Sequence, residues 1–273
     1  MILRYLQFSP TGNVTVLSTT PVPRALQPRI AARLLADDCV GGEQAGFVEP
    51  ATDARADARL QMMGGEFCGN AAMSLGALLA REAGLADGEG RDFRLEVSGS
   101  AGLVPCRIVR ESETWVGTVD MPLPTGLDAI AIDTDAGPLA APLVRFPGIA
   151  HLILPAGAGP GEAELRRRMP AWNAKIGADA LGALLWDEAE ASIDPLVYVP
   201  AAGTLVREHG CGSGTAAIGS WKALATGKDV DAAIRQPGGT ITVRARASGG
   251  AVAALSITGR VTLLREGEAR VVI

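Results

Sequence analysis

Two stretches of the chain are apolar around nearly the whole circumference of a helix. One runs from Cys68 to Gly84 and the other from Cys211 to Gly227. A surface helix would show one apolar stripe, so these two are predicted to be buried on all sides. Each carries a glycine mid-helix, Gly76 and Gly219. Such a residue costs about 1 kcal/mol relative to Ala and signals a close neighbour. Gly84 and Gly227 are placed to end the helices as C′ residues. Around them, short runs rich in Val, Ile, Leu and Thr, punctuated by Pro and Gly, predict strands at 103–109, 115–119, 196–199, 240–246, 252–258 and 260–264. The stretch 156–190 reads as loop plus an exposed helix near 161–169, and 121–126 as a hinge. The fold class is α+β: two pseudo-symmetric lobes, each a curved β-sheet or barrel around a buried helix. The lobes are placed at 1–118, with a C-terminal strand at 262–273, and at 119–261.

The two helices belong to an internal repeat. Aligned from Cys68 and Cys211 without a gap, they share the Cys, the following Gly, Gly76 with Gly219, Ala80 with Ala223, and Gly84 with Gly227. A strand and turn follow each, at 93–102 and 241–250, so one unit has been used twice. Asn70 and Ser213 are predicted as the N-caps. The position of the cysteines carries the chemistry. A helix start offers unpaired N–H groups and partial positive charge, which lower a thiol's pKa and bind anions such as carboxylate. Two such starts meeting at one carbon would combine an anion clamp with two thiols. That arrangement suits removing a proton from one face and returning it to the other.

Composition narrows the partners. With 48% hydrophobic and 20% charged residues, the chain is too apolar to be disordered. Lys plus Arg is 25 against 30 Asp plus Glu, a net charge of −5 that argues against nucleic acid or an anionic membrane. No basic start with a long apolar run opens the chain, and no stretch reaches the ~18 apolar residues of a membrane span. The expected address is cytoplasmic. Four scattered cysteines form no CxxC, so no disulfide framework is expected. Cys39 and Cys106 head no helix motif and read as small buried hydrophobes. No phosphate-loop ending follows the glycine-rich 211–215 stretch, so no nucleotide is inferred.

Glu66-Phe67-Cys68-Gly69-Asn70-Ala71 and Glu208-His209-Gly210-Cys211-Gly212-Ser213-Gly214-Thr215 resemble the first and second cysteine motifs of the diaminopimelate epimerase superfamily. Other landmarks follow in order across almost the whole chain: 9–13, Glu43-Gln44, 148–151, 236–239 and Thr258-Gly259. PhzF-type proteins of the same fold lack the cysteine pair. The resemblance implies the diaminopimelate-epimerase-like fold and an isomerase that works without a cofactor, PLP included. Cys68 and Cys211 are its implied thiolate base and thiol acid. His151 and Glu208 match positions that tune thiol pKa. Asn13 and Gln44 match substrate-binding positions, and Gly69, Asn70, Gly212 and Ser213 match donors to the substrate α-carboxylate. No metal is implied. The implied partner is a small amino acid, and a homodimer is left open.

Departures from the motif bear on substrate. His209 stands where diaminopimelate epimerases carry an Arg, and Ile149 where they carry an Asn. Without the Arg fork, a distal carboxylate loses its natural bidentate partner. Glu43, Glu66, Glu208 and Asp194 would instead make the site acidic and favour a basic side chain. The segment around Cys68 is similar to the histidine racemases of opine-metallophore biosynthesis. The substrate order is therefore histidine, then ornithine, lysine or arginine, then diaminopimelate. Two other readings stand beside it: a structural zinc on Cys68, Cys211, His151 and His209, whose spacing fits no usual zinc module, and a non-catalytic amino-acid-binding relative.

Overall fold

A computed structural model describes residues 1–272. Ile273, the last residue of the predicted 262–273 segment, lies outside the described residues. The chain divides into two compact units, one of Met1–Asp120 with the segment from Thr258 onward, the other Met121–Ile257. The sequence placed these boundaries at 118/119 and 261/262.

The first unit contains β1 (Ile2–Pro10), β2 (Thr15–Ser18), α1 (Gln27–Leu35), β3 (Gln44–Glu49), β4 (Ala58–Met62), α2 (Gly69–Glu82), β5 (Gly90–Val97), β6 (Leu103–Glu111) and β7 (Thr114–Asp120). The second contains β8 (Gly126–Thr134), β9 (Gly137–Phe146), β10 (Ile149–Pro155), α3 (Glu162–Ile176), β11 (Leu181–Asp187), β12 (Ser192–Val199), β13 (Thr204–Arg207), α4 (Gly212–Thr226), β14 (Val230–Gln236) and β15 (Gly239–Ser248). β16 (Ala251–Arg270) begins in the second unit and ends in the first.

In the first unit the strands run in order from β1 to β7 and then β16, which pairs back onto β1 from Ile2↔Arg270 to Pro10↔Val261. The strands thus close a barrel around α2, whose residues from Gly69 to Leu78 are all buried. The close approach predicted at Gly76 is real. A Cβ there would lie 2.8 Å from the Cys106 Sγ and from the Ile108 Cδ1. Cys106 is a buried filler, and burial pushes its thiol up to about 12. Cys39 packs, half-buried, beside the cluster of Ile30, Leu34 and Phe47.

In the second unit the order is β16, β15, β14, β12, β11, β10, β9, β8, with β13 beside β12. α4 packs on β15, β14, β9, β10 and β12. At Gly219 a Cβ would lie 2.5 Å from Val243 Cγ2.

Three expectations change. β16 is one strand where two were predicted. The 156–190 stretch holds β11, which lies parallel to β10 and needs α3 as its crossover. α3 runs past Pro170 because its apolar stripe of Leu165, Met169 and Trp172 continues through the proline.

Candidate active site

Both cysteines cap their helices themselves, so the predicted caps shift by two residues. Asn70 and Ser213 sit inside the first turn. Cys68 and Cys211 hold extended N-cap backbone, and their sulfurs accept from the N–H three residues on. The distances are 3.4 Å from Ala71 N and 3.2 Å from Gly214 N. The sulfur thus takes the place of the oxygen that Ser or Asn usually supplies there. Each thiol meets the positive end of a helix dipole.

Around Cys68 the first unit gathers Asn13, Gln44, Gly69 and Asn70. A turn with Thr11 and Gly12 at positive φ leads Asn13 into β2. β2 and β3 pair in parallel with Thr15 opposite Gln44, so both side chains share one face. Gln44 Nε2 donates to Asn13 Oδ1 at 2.7 Å and to Thr15 Oγ1 at 2.8 Å. Its Oε1 accepts from the Cys68 thiol at 3.0 Å. Glu43 accepts from Asn13 Nδ2 and from Val14 N–H, both at 3.3 Å. Gly69 and Asn70 are buried in the first turn of α2, and Glu66 is exposed.

Around Cys211 the second unit gathers His151, Glu208, Gly212 and Ser213. Cys211 is only 2% exposed. Burial pushes its thiol well above the ordinary cysteine range, and the Glu208 carboxylate, which accepts from the thiol, adds to the rise. The Ser213 hydroxyl and Gly214 N–H pull the other way without reversing it. The lowered pKa expected at both helix starts is therefore corrected for Cys211: desolvation and a neighbouring carboxylate outweigh the helix dipole.

His151 does not touch Cys211 directly. Its Nε2 lies 3.0 Å from Ser213 Oγ, which lies 3.6 Å from Cys211 Sγ. The ring is fully buried, edge-on to Phe146 at 6.4 Å, and burial holds its pKa to about 3. Its Nδ1 has no hydrogen-bond partner among the described residues. Buried orphan N–H groups are rarer than bare acceptors, which puts the proton on Nε2, donating to Ser213. The ring has room because its partner across the β10–β11 pair is Gly182, where a Cβ would collide with Nδ1.

Sequence reasoning missed three residues. Gln236 Oε1 accepts from Cys211 N–H at 2.6 Å, and its Nε2 donates to Thr215 Oγ1 at 2.7 Å. Thr215 in turn donates to the Cys211 carbonyl at 2.9 Å. Both lie inside the family landmarks, which was the available signal. Thr15 had none. Asp194 drops out of the acidic set, because Arg207 grips both its oxygens. Among the described residues no group of three or more His, Cys, Asp or Glu side chains is arranged to hold a metal ion. The zinc alternative finds no ligand cluster there.

A family model described as the N-terminal domain of the histidine racemase CntK matches residues 2–270. The chain belongs to this family. A histidine racemase of Staphylococcus aureus is 30% identical over 98% of this chain and 97% of its own length. One from Fusobacterium nucleatum is 28% identical over 87% of each chain. Among solved structures, a hydroxyproline epimerase from Agrobacterium vitis with bound trans-4-hydroxy-L-proline aligns with a TM-score of 0.72 and 16% identity, covering 98% of this chain and 92% of that one. That likeness shows the fold, and the α+β expectation holds. Across the histidine racemase family match, both cysteine-capped helices fall within the matched residues. Among the described residues, no helix is long and apolar enough to cross a membrane.

Proposed function

We propose that this chain is a histidine racemase that inverts Cα with two thiols and no cofactor. The observation that carries the reading is the duplicated helix start capped by a cysteine sulfur, in a chain 30% identical to a histidine racemase over nearly its whole length. The first-turn N–H groups of α2 and α4, from Gly69, Asn70, Gly212 and Ser213, hold the α-carboxylate. Their dipoles stabilise the negative charge that spreads onto it as the Cα–H bond breaks. One thiolate removes the Cα proton and the other thiol delivers its own proton to the opposite face. Buried beside Glu208, Cys211 stays protonated. In the singly ionised enzyme it is the acid, and Cys68 is the base. Turnover exchanges these roles, and the pair titrates as one coupled system.

Each sulfur has a partner for both of its states. The thiol donates to Gln44 or to Glu208, and the thiolate accepts from Ala71 or Gly214 N–H. Glu43 and Glu208 favour a cationic or hydrogen-bonding side chain such as imidazole. The reading places the enzyme in the cytoplasm.

Incubation in D2O with a panel of L- and D-amino acids tests this. Deuterium should enter at Cα of histidine first, and Cys68→Ser or Cys211→Ser should each cut racemisation by about a thousandfold or more, within the range a catalytic nucleophile or base supplies. Exchange only with diaminopimelate, or full activity of either variant, would overturn the reading. A non-catalytic binder would show no exchange at all.

A further inference from the structure

The two cysteines have unlike acceptors. Cys211 donates to a carboxylate, Glu208, whereas Cys68 donates to a neutral amide oxygen, Gln44 Oε1. Which end of an amide faces a sulfur decides which state of the sulfur it favours. An oxygen accepts from the thiol, and an NH2 donates to the thiolate. Here the choice is made two bonds away. Gln44 Nε2 is occupied by both Asn13 Oδ1 and Thr15 Oγ1, so only the oxygen is left to face Cys68. Thr15 is fully buried and sits directly opposite Gln44 in the β2–β3 register.

We infer that Thr15 and Gln44 are positioning residues for the Cα proton transfer: Thr15, together with Asn13, fixes the orientation of the Gln44 amide, and Gln44 holds the Cys68 S–H as the uncharged counterpart of Glu208. This rests on the two-thiol reading above. Because an amide is neutral, Gln44 opposes ionisation of Cys68 less than a carboxylate would. On these two contacts Cys68 ionises before Cys211, and the single proton of the reactive enzyme rests on Cys211. No bond to Gln44 or Thr15 is made or broken in turnover. The proton travels from Cα to the Cys68 sulfur and from the Cys211 sulfur to Cα. Among the described residues of this unit, Glu43 is bonded to Asn13 and Glu66 lies two residues before Cys68. Both remain in every variant below, so their field cancels in the comparison.

For a racemase the equilibrium constant is unity, so kcat/KM is equal in the two directions at every pH and cannot report an inequality between the thiols. The ionisation of Cys68 is read directly instead. The full chain is alkylated with iodoacetamide across a pH series, and the Cys68 peptide is quantified by mass spectrometry, with half-buried Cys39 as internal reference. Gln44→Met removes the acceptor and should lower the midpoint, raising the Cys68 rate about three- to tenfold below it, which corresponds to about half to one pH unit. Gln44→Glu should raise the midpoint by at least as much. Thr15→Val, which removes one of the two acceptors that hold the NH2 away from sulfur, should lower it, and Thr15→Ser should restore the wild-type value. A merely structural role would not move the midpoint in opposite directions for Met and Glu. Equal midpoints, or shifts of one sign, would overturn the proposal. If the Gln44 variants do not fold, an unmoved midpoint in folded Thr15→Val overturns it equally. Alkylation needs no turnover. Loss of Cα exchange in wild type would refute the racemase reading and leave the amide orientation standing, whereas unmoved midpoints in an active enzyme would do the reverse.

Discussion

Between pH 6.5 and 3 the imidazole of His151 sets the folded protein against its own unfolded chain. The unfolded histidine binds a proton near pH 6.5, while burial keeps the folded one neutral down to about 3. The unfolded state therefore binds more protons in that window. Stability contributed by the neutral ring is fully present above about pH 6.5 and is lost as pH falls, at up to about 1.4 kcal/mol per unit. His151→Gln should flatten the dependence of unfolding free energy on pH by about one proton over this range, measured by urea unfolding at successive pH values. An unchanged slope would mean that the ring is charged when folded. Ser213→Ala removes the hydroxyl between this ring and Cys211, and with it a donor to the thiolate. Racemisation should fall by about tenfold or more, and the alkaline limb of its pH profile should move upward, since the lost hydrogen bond favoured the charged form. The cysteines were legible at this scale because each opens a repeated, glycine-bounded helix. The links to them were not. His151 reaches Cys211 only through Ser213, and Gln44 meets Cys68 only because β2 and β3 pair in parallel at one register. Neither relation leaves a trace in residue spacing.

At the scale of elements, the two central helices were read correctly as buried because no face of them is polar, and their mid-helix glycines marked close contacts with the surrounding strands. β11 was missed for a related reason. Its run Leu181–Asp187 is short and apolar and carries a glycine at its second position, so periodicity alone does not separate it from a loop. Only the tertiary frame does so, because a parallel partner for β10 requires a crossover helix, and α3 provides it. The glycine contacts can be tested directly. Gly219→Ala gains up to about 1 kcal/mol of helix propensity but drives a methyl to within 2.5 Å of Val243. Overpacking of that kind costs about 1–3 kcal/mol, so the variant should be less stable by thermal unfolding. Val243→Ala removes the colliding methyls and leaves a cavity of its own. The double variant should therefore be clearly more stable than the sum of the two single effects predicts. Strict additivity would mean that the helix and β15 do not touch as described.

For the whole molecule, the consequential feature is that the first unit is discontinuous in sequence. Its barrel closes only when β16 returns to pair with β1, from Pro10↔Val261 to Ile2↔Arg270. The sequence assigns a C-terminal strand at 262–273 to the first lobe, but spacing does not give the partner or the register with which that strand seals the barrel. Residues 1–120 alone would leave β1 and β7 with unpaired edges and would lack Ala269 and Val271, which pack in the cluster with Leu3. That fragment should aggregate or show no cooperative unfolding. The remedy follows from where the ends lie. The Met1 amino group donates to the Val271 carbonyl at 2.6 Å, so residues 258–272 can be joined ahead of Met1 through a short Gly/Ser linker without disturbing the pairing. This permuted unit should unfold cooperatively in urea and give dispersed amide NMR signals. It retains Cys68, Gln44 and Thr15, so iodoacetamide should alkylate its Cys68. It lacks Cys211, and with one sulfur it should leave L-histidine uninverted. A cooperatively folded 1–120 fragment would show that β16 is dispensable to the barrel, and inversion by the permuted unit would show that a single thiol suffices.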